Sequence, residues 1–167
     1  DEVLAASGLA VAAIDFRHGA ERYPSSLADI NYAIRWLKAQ GGELGLDASR
    51  VGLCGQSSGG HLAMLAAMRP FDPRYSAIPL AGDAGKIGAG AAPDATVRCV
   101  GVQWAVINPL SRYRHALRQR AQGADWANDI PESHDRYWGD EAAMAEGNPL
   151  LALERGEAAA TPPAFWI

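Results

Sequence analysis

Between Val51 and Met68 the sequence leaves no room for a loop. The apolar run Val51-Gly52-Leu53-Cys54 passes through Gly55-Gln56-Ser57-Ser58-Gly59 into the Ala-rich stretch His61 to Met68, which Pro70 stops. A short continuous apolar run suggests a buried strand, and an apolar stretch of helical length suggests a buried helix. Strand, one tight turn and helix in direct succession point to a parallel α/β layer rather than to hairpins or a helix bundle.

The flanking segments repeat that alternation. Leu9-Ala10-Val11-Ala12-Ala13-Ile14 reads as another buried strand, with Asp15 and Arg17 after it. Tyr23-Pro24-Ser25-Ser26 opens a helix in which Leu27, Ile30, Ile34 and Leu37 recur on one face, and Gly41-Gly42 ends it. Val97 to Ile107 reads as a third strand, ending at Asn108-Pro109, with Trp104 expected in the core. Ser111 to Arg120 reads as a basic helix with a solvated face. Short helical pieces follow around 140–146 and 149–155, and Thr161-Pro162-Pro163 introduces a last apolar strand. The order β–α–β–α–β–insert–β predicts an α/β fold, a mostly parallel sheet with helices on both faces.

Composition narrows the function. Fifteen Lys and Arg against 19 Asp and Glu give a net charge of −4 without a basic block, a poor basis for binding nucleic acid. No apolar run approaches the ~18–20 residues of a membrane-spanning helix. Cys54 and Cys99 lack the spacing of a disulfide framework or zinc site and are expected as buried core thiols. Gly82 to Gly90 is glycine-rich but lacks the Gly-Lys-Ser/Thr of a phosphate loop and reads as a surface loop. No metal or cofactor motif is visible. The chain opens on Asp1-Glu2 and stops at Ile167 inside an apolar run, as a piece of a longer domain would.

The form G-x-S-x-G at Gly55 to Gly59 carries the chemistry. A turn this tight strains the serine backbone, and glycines beside it avoid side-chain clashes with strand and helix. The Ser57 hydroxyl is then pushed out at the carboxyl end of the sheet, where open α/β folds bind ligands. The Ser58 amide, at the helix start, can donate to a developing oxyanion. A serine hydroxyl still needs a base. His61 follows within one helical turn, but the helix carries it away from the exposed hydroxyl. His115 reads as surface. His134 lies in the insert beside Asp135, where a reordered triad would place it. Gln56 and His18, which follows a strand end, are expected on the substrate side.

Gly55-Gln56-Ser57-Ser58-Gly59-Gly60-His61-Leu62-Ala63 resembles the nucleophile elbow of α/β-hydrolase esterases and lipases of the hormone-sensitive-lipase-like and feruloyl-esterase-like groups, typically G-x-S-A-G-G-H-L-A. Gly8 to Arg17, Tyr23 to Asp29, Asp47 to Val51 and Thr161 to Ile167 are similar to other segments of those enzymes. The resemblance implies a single incomplete α/β-hydrolase domain over residues 1–167, with residues 108–150 where many such enzymes carry a cap. It implies a serine carboxylesterase that acts on small-molecule esters through an acyl-enzyme on Ser57, without a cofactor. The catalytic Asp and His would lie beyond residue 167, and this segment alone would be inactive. Asp29 would be structural, tying its helix to an arginine such as Arg17. Two alternatives share the elbow: a peptidase of the prolyl-oligopeptidase type, and an inactive hydrolase fold serving as a binding module.

Overall fold

A computed structural model describes residues 2–18, 22–80, 93–158 and 163–167. After a short first helix (α1, Glu2–Ala6) come α2 (Ser25–Gln40), β1 (Gly52–Gln56), α3 (Ser58–Met68) and β2 (Cys99–Gln103). Four helices follow, α4 (Pro109–Ala121), α5 (Asp129–Trp138), α6 (Glu141–Glu146) and α7 (Pro149–Glu154), and then β3 (Ala164–Trp166). The strands form a parallel sheet in the order β1-β2-β3, with Gly52 beside Cys99 and Cys99 beside Ala164. The expected parallel α/β architecture is present. The Gly82 to Gly90 segment falls outside the described residues.

Helix α3 sits at the centre because it is apolar on every side, which places a helix in an interior. Residues 60 to 68 are all buried. Ala63, Met64, Ala67 and Met68 pack on Val100 and Val102 of β2 and on Ala152 of α7. Leu62, Leu65 and Ala66 meet Leu27, Ile30 and Ile34 of α2, with Tyr75 beneath. Helix α2 thus buries Leu27, Ile30 and Ile34 of its expected stripe, while Leu37 is half-buried. Its other contacts are polar: Arg35 donates to Asn31 Oδ1 at 2.7 Å and to the Ile78 carbonyl at 2.6 Å.

Three expectations are corrected. First, Leu9 to Ile14 form no strand and are exposed, Leu9 at 57%. An apolar run becomes a strand only when a neighbour takes its backbone hydrogen bonds, and no described strand lies alongside it. Second, among the described residues helix packing on the sheet comes from one side. Leu53, Val100, Val102 and Phe165 face α3, while Cys54, Cys99, Gln103 and Trp166 on the other face are exposed. Third, both cysteines are therefore exposed and free. The alternation of a strand puts residues 52, 54 and 56 on the open face together. Each thiol lies over a glycine of the next strand: a Cβ on Gly52 would meet Cys99 Sγ at 2.8 Å, and one on Gly101 would meet Cys54 Sγ at 3.3 Å.

Polar contacts fasten the helices after β2 to this layer. Arg69, at the end of α3, pairs with Glu146 and Glu157, each at 2.5 Å. Arg74 pairs with Asp72 and Glu146. Asn108 and Asn148 cap α4 and α7 by accepting from the amides of Ser111 and Leu151, and Asn148 Nδ2 also donates to Asn108 Oδ1 at 2.8 Å.

Candidate active site

Ser57 stands between β1 and α3 with φ 52° and ψ −118°, a conformation that residues other than glycine avoid. Its surroundings hold it there. The Ser57 amide donates to the Gln103 carbonyl at 2.9 Å, and its carbonyl accepts from the amides of His61 at 3.2 Å and Val106 at 3.4 Å. The strain expected from the sequence is real, and the end of β2 helps to impose it. The serine side chain is exposed, and no described histidine or carboxylate hydrogen-bonds to it.

The glycines divide the task differently from the motif. A Cβ on Gly55 would lie 2.4 Å from the Gly59 carbonyl oxygen and 2.7 Å from the Gly60 nitrogen, so strand and helix backbones touch there. A Cβ on Gly60 would meet Ala105 Cβ at 2.9 Å, whereas one on Gly59 would meet nothing within 4 Å. The close approach therefore rests on Gly55 and Gly60, and Gly59 is sterically free.

A cavity of about 310 Å³ opens beside Ser58. Ser58 begins α3, where N–H groups have no acceptor within the helix. Phe16 and His18 line one side, and Arg112 from α4 and His134, Arg136, Tyr137 and Trp138 from α5 line the other. His18 and Ser58 line the same cavity. Gln56 lies elsewhere: its side chain belongs to the open sheet face with Cys54, Gln103 and Trp166. That follows from strand alternation, since Gln56 shares the face of residues 52 and 54.

The other histidines are engaged. His61 is buried, with Nε2 2.8 Å from the Gly147 carbonyl oxygen and its ring edge-on to Trp138. Burial pushes its pKa down to about 4, so at neutral pH it is an uncharged donor. His134 places Nδ1 2.9 Å from the Ile130 carbonyl and stacks on Tyr113, and burial lowers its pKa too. His115 is exposed and stacks on Trp126. Asp29 grips Arg17 as the resemblance implied, through the Arg17 amide at 2.8 Å and Nη2 at 2.9 Å.

Trp104 corrects an expectation. It is 79% exposed and adopts φ 50°, because β2 ends at Gln103 and the chain turns there instead of continuing to Ile107. No sequence motif marks Arg112, Arg136 or the Tyr137 hydroxyl as cavity residues. Arg112 reads in sequence as part of a solvated basic face, and only the packing of α4 and α5 brings it to the cavity. Among the described residues no group of three or more His, Cys, Asp or Glu is arranged to hold a metal ion. No described helix is long and apolar enough to cross a membrane.

The strained serine at a strand-to-helix turn of a parallel sheet defines an α/β-hydrolase fold. Residues 2–110 match the BD-FAE family, and the chain belongs to it. It is 40% identical over 73 residues to the probable carboxylic ester hydrolase LipM of Mycobacterium tuberculosis, covering 43% of this chain and 17% of that protein. It is 37% identical over 75 residues to the esterase LipC of the same organism, covering 44% and 19%. Among solved structures, it resembles carboxyl esterase 2 of the fungus Tuber melanosporum at a TM-score of 0.66 and 19% identity, over 98% of this chain and 48% of that one. It resembles esterase B of Lactobacillus rhamnosis at 0.61 and 23% identity, over 98% and 47%. The structural likenesses are likenesses of fold. The matches span about a fifth of the mycobacterial proteins and about half of the solved chains.

Proposed function

We propose that the protein is a serine carboxylic-ester hydrolase with Ser57 as its nucleophile. The observation that carries this reading is the Ser57 backbone at φ 52°, held by the Gln103 carbonyl at the carboxyl end of the sheet. Strain of this kind amounts to about 1–3 kcal/mol and persists where function retains it. Membership of the BD-FAE family and the local identity to proteins described as ester hydrolases support the reading.

In the proposed reaction Ser57 Oγ attacks the ester carbonyl carbon, and its proton passes to an imidazole base. The carbonyl oxygen takes up negative charge and accepts a hydrogen bond from the Ser58 amide. The carbon–oxygen bond to the alcohol breaks, and the alcohol leaves with the proton from the imidazolium. Water then adds to the acyl-enzyme by the same route and releases the acid. The base and the carboxylate that orients it are assigned to segments beyond residue 167, so residues 1–167 alone are expected to be inert. The helices within 108–150 act as a cap whose inner wall is the cavity beside Ser58. No cofactor takes part.

The test uses the intact gene product. Cleavage of 4-nitrophenyl butyrate and covalent labelling of Ser57 by a fluorophosphonate, both lost in Ser57→Ala, are the expected results. Cleavage of aminoacyl amides in preference to esters would transfer the site to peptide bonds. Failure of the probe to label the folded protein would leave a binding module.

A further inference from the structure

The cavity beside Ser58 has a one-sided charge. The protein carries a net charge of −4, yet no Asp or Glu lines this cavity. Its ionisable lining groups are Arg112, Arg136, Tyr137 and three histidines. The side chains of Arg112 and Arg136 have no hydrogen-bond or ion-pair partner among the described residues, in a molecule where Arg17, Arg69, Arg74 and Arg114 all hold carboxylates. Tyr137 adds an unused donor. Its hydroxyl is buried without a hydrogen-bond partner among the described residues, close to the Ser26 hydroxyl, which donates to the Arg17 carbonyl. Burial pushes the Tyr137 pKa up to about 12, so the hydroxyl keeps its proton at neutral pH.

Resting on the serine-hydrolase reading above, we propose that this cavity selects esters carrying a carboxylate on one arm, with Arg112 and Arg136 as the charge partners and the Tyr137 hydroxyl as an added donor. Guanidinium groups match a carboxylate with paired donors in one plane. Phe16 and Trp138 supply the apolar wall along which the rest of that arm lies. Ser58, the residue that follows Ser57, lines this cavity, and the proposal directs into it the substrate arm that leaves the reacting carbonyl on the α3 side.

The experiment compares the intact gene product on mono-4-nitrophenyl glutarate and on 4-nitrophenyl pentanoate, which share chain length and leaving group. A second pair places the carboxylate on the alcohol arm: ethyl butyrate against the butyrate ester of glycolic acid. A preference in kcat/KM of about tenfold or more for one anionic ester is expected, the scale of a charge-assisted hydrogen bond. The preference should shrink as salt rises, because the two guanidiniums are exposed. In Arg112→Gln/Arg136→Gln the ratio of anionic to neutral kcat/KM should fall towards one. Neutral esters cleaved as well as both anionic ones would overturn the proposal and leave the serine-hydrolase reading intact. If none of the four esters is cleaved, that reading falls and this inference with it.

Discussion

The imidazole Nε2 of His61 lies 2.8 Å from the carbonyl oxygen of Gly147, joining the first turn of α3 to the residue that ends α6. The contact needs glycine at its far end. A Cβ on Gly147 would sit 2.4 Å from the Trp138 ring, which packs edge-on against His61. This hydrogen bond ties α6 to the first turn of α3, beside the Arg69–Glu146 pair at the other end of the helix, and burial keeps the imidazole neutral.

Acid should weaken the fold through this group. The His61 pKa is about 4 in the folded chain against 6.5 when free. Above pH 6.5 the imidazole is uncharged in both states and its burial is unopposed. Between 6.5 and 4 the unfolded chain binds a proton that the folded chain does not, so stability falls as pH falls. At roughly 1.4 kcal/mol per tenfold change in proton affinity, the loss approaches about 3 kcal/mol. Buried His134 adds in the same direction. Urea unfolding at pH 7, 5.5 and 4.5 measures this. His61→Phe should be less stable at pH 7, by about 1–3 kcal/mol for the unpaired Gly147 carbonyl, and should show a shallower loss on acidification. An equal slope in both proteins would exclude His61 as the source.

The glycines of the serine turn should respond unequally. Gly55→Ala forces a Cβ against the Gly59 and Gly60 backbone, which cannot yield without moving β1 from α3. Soluble expression should collapse, or stability should fall by about 3 kcal/mol or more, the scale of an overpacked core. Gly59→Ala enters open space inside a helix, where alanine is favoured by about 0.5–1 kcal/mol, and should be neutral or slightly stabilising. Melting temperatures of the two variants decide the matter. Equal damage would mean that the motif, rather than the contact, sets the requirement.

Ser57→Gly should exchange activity for stability. Glycine adopts φ 52° freely, so strain of about 1–3 kcal/mol is relieved, less ~0.5–1 kcal/mol for the looser unfolded chain. A net gain of about 1 kcal/mol in urea unfolding is expected, with complete loss of fluorophosphonate labelling. A destabilised variant would show that the serine side chain contributes packing that outweighs its backbone strain.

What the sequence revealed was local. The spacing of Leu27, Ile30 and Ile34 announced the buried stripe of α2, and Gly55 to Gly59 announced the turn. Asn108-Pro109-Leu110 and Asn148-Pro149-Leu150 both mark helix starts, but nothing local says that their two asparagines touch. The errors lie where a second segment decides. Leu9 to Ile14 have the composition of a strand and lack the neighbour that would make them one. Alternation says that Cys54 shares a face with Gln56, and cannot say which face a helix will cover. Arg112 and Arg136 reach the cavity beside His18 from separate elements far apart in the chain, so no spacing rule could join them.

The sheet face that no described helix covers has an analytical use. Cys54 and Cys99 stand on it one pairing step apart, each over a glycine, with Trp166 beside them. A maleimide footprint of the two thiols, read with Trp166 fluorescence, therefore works as a built-in gauge of occupancy. Any polypeptide or ligand that comes to rest on that face must slow both alkylations together, whereas a change at the serine rim leaves them untouched.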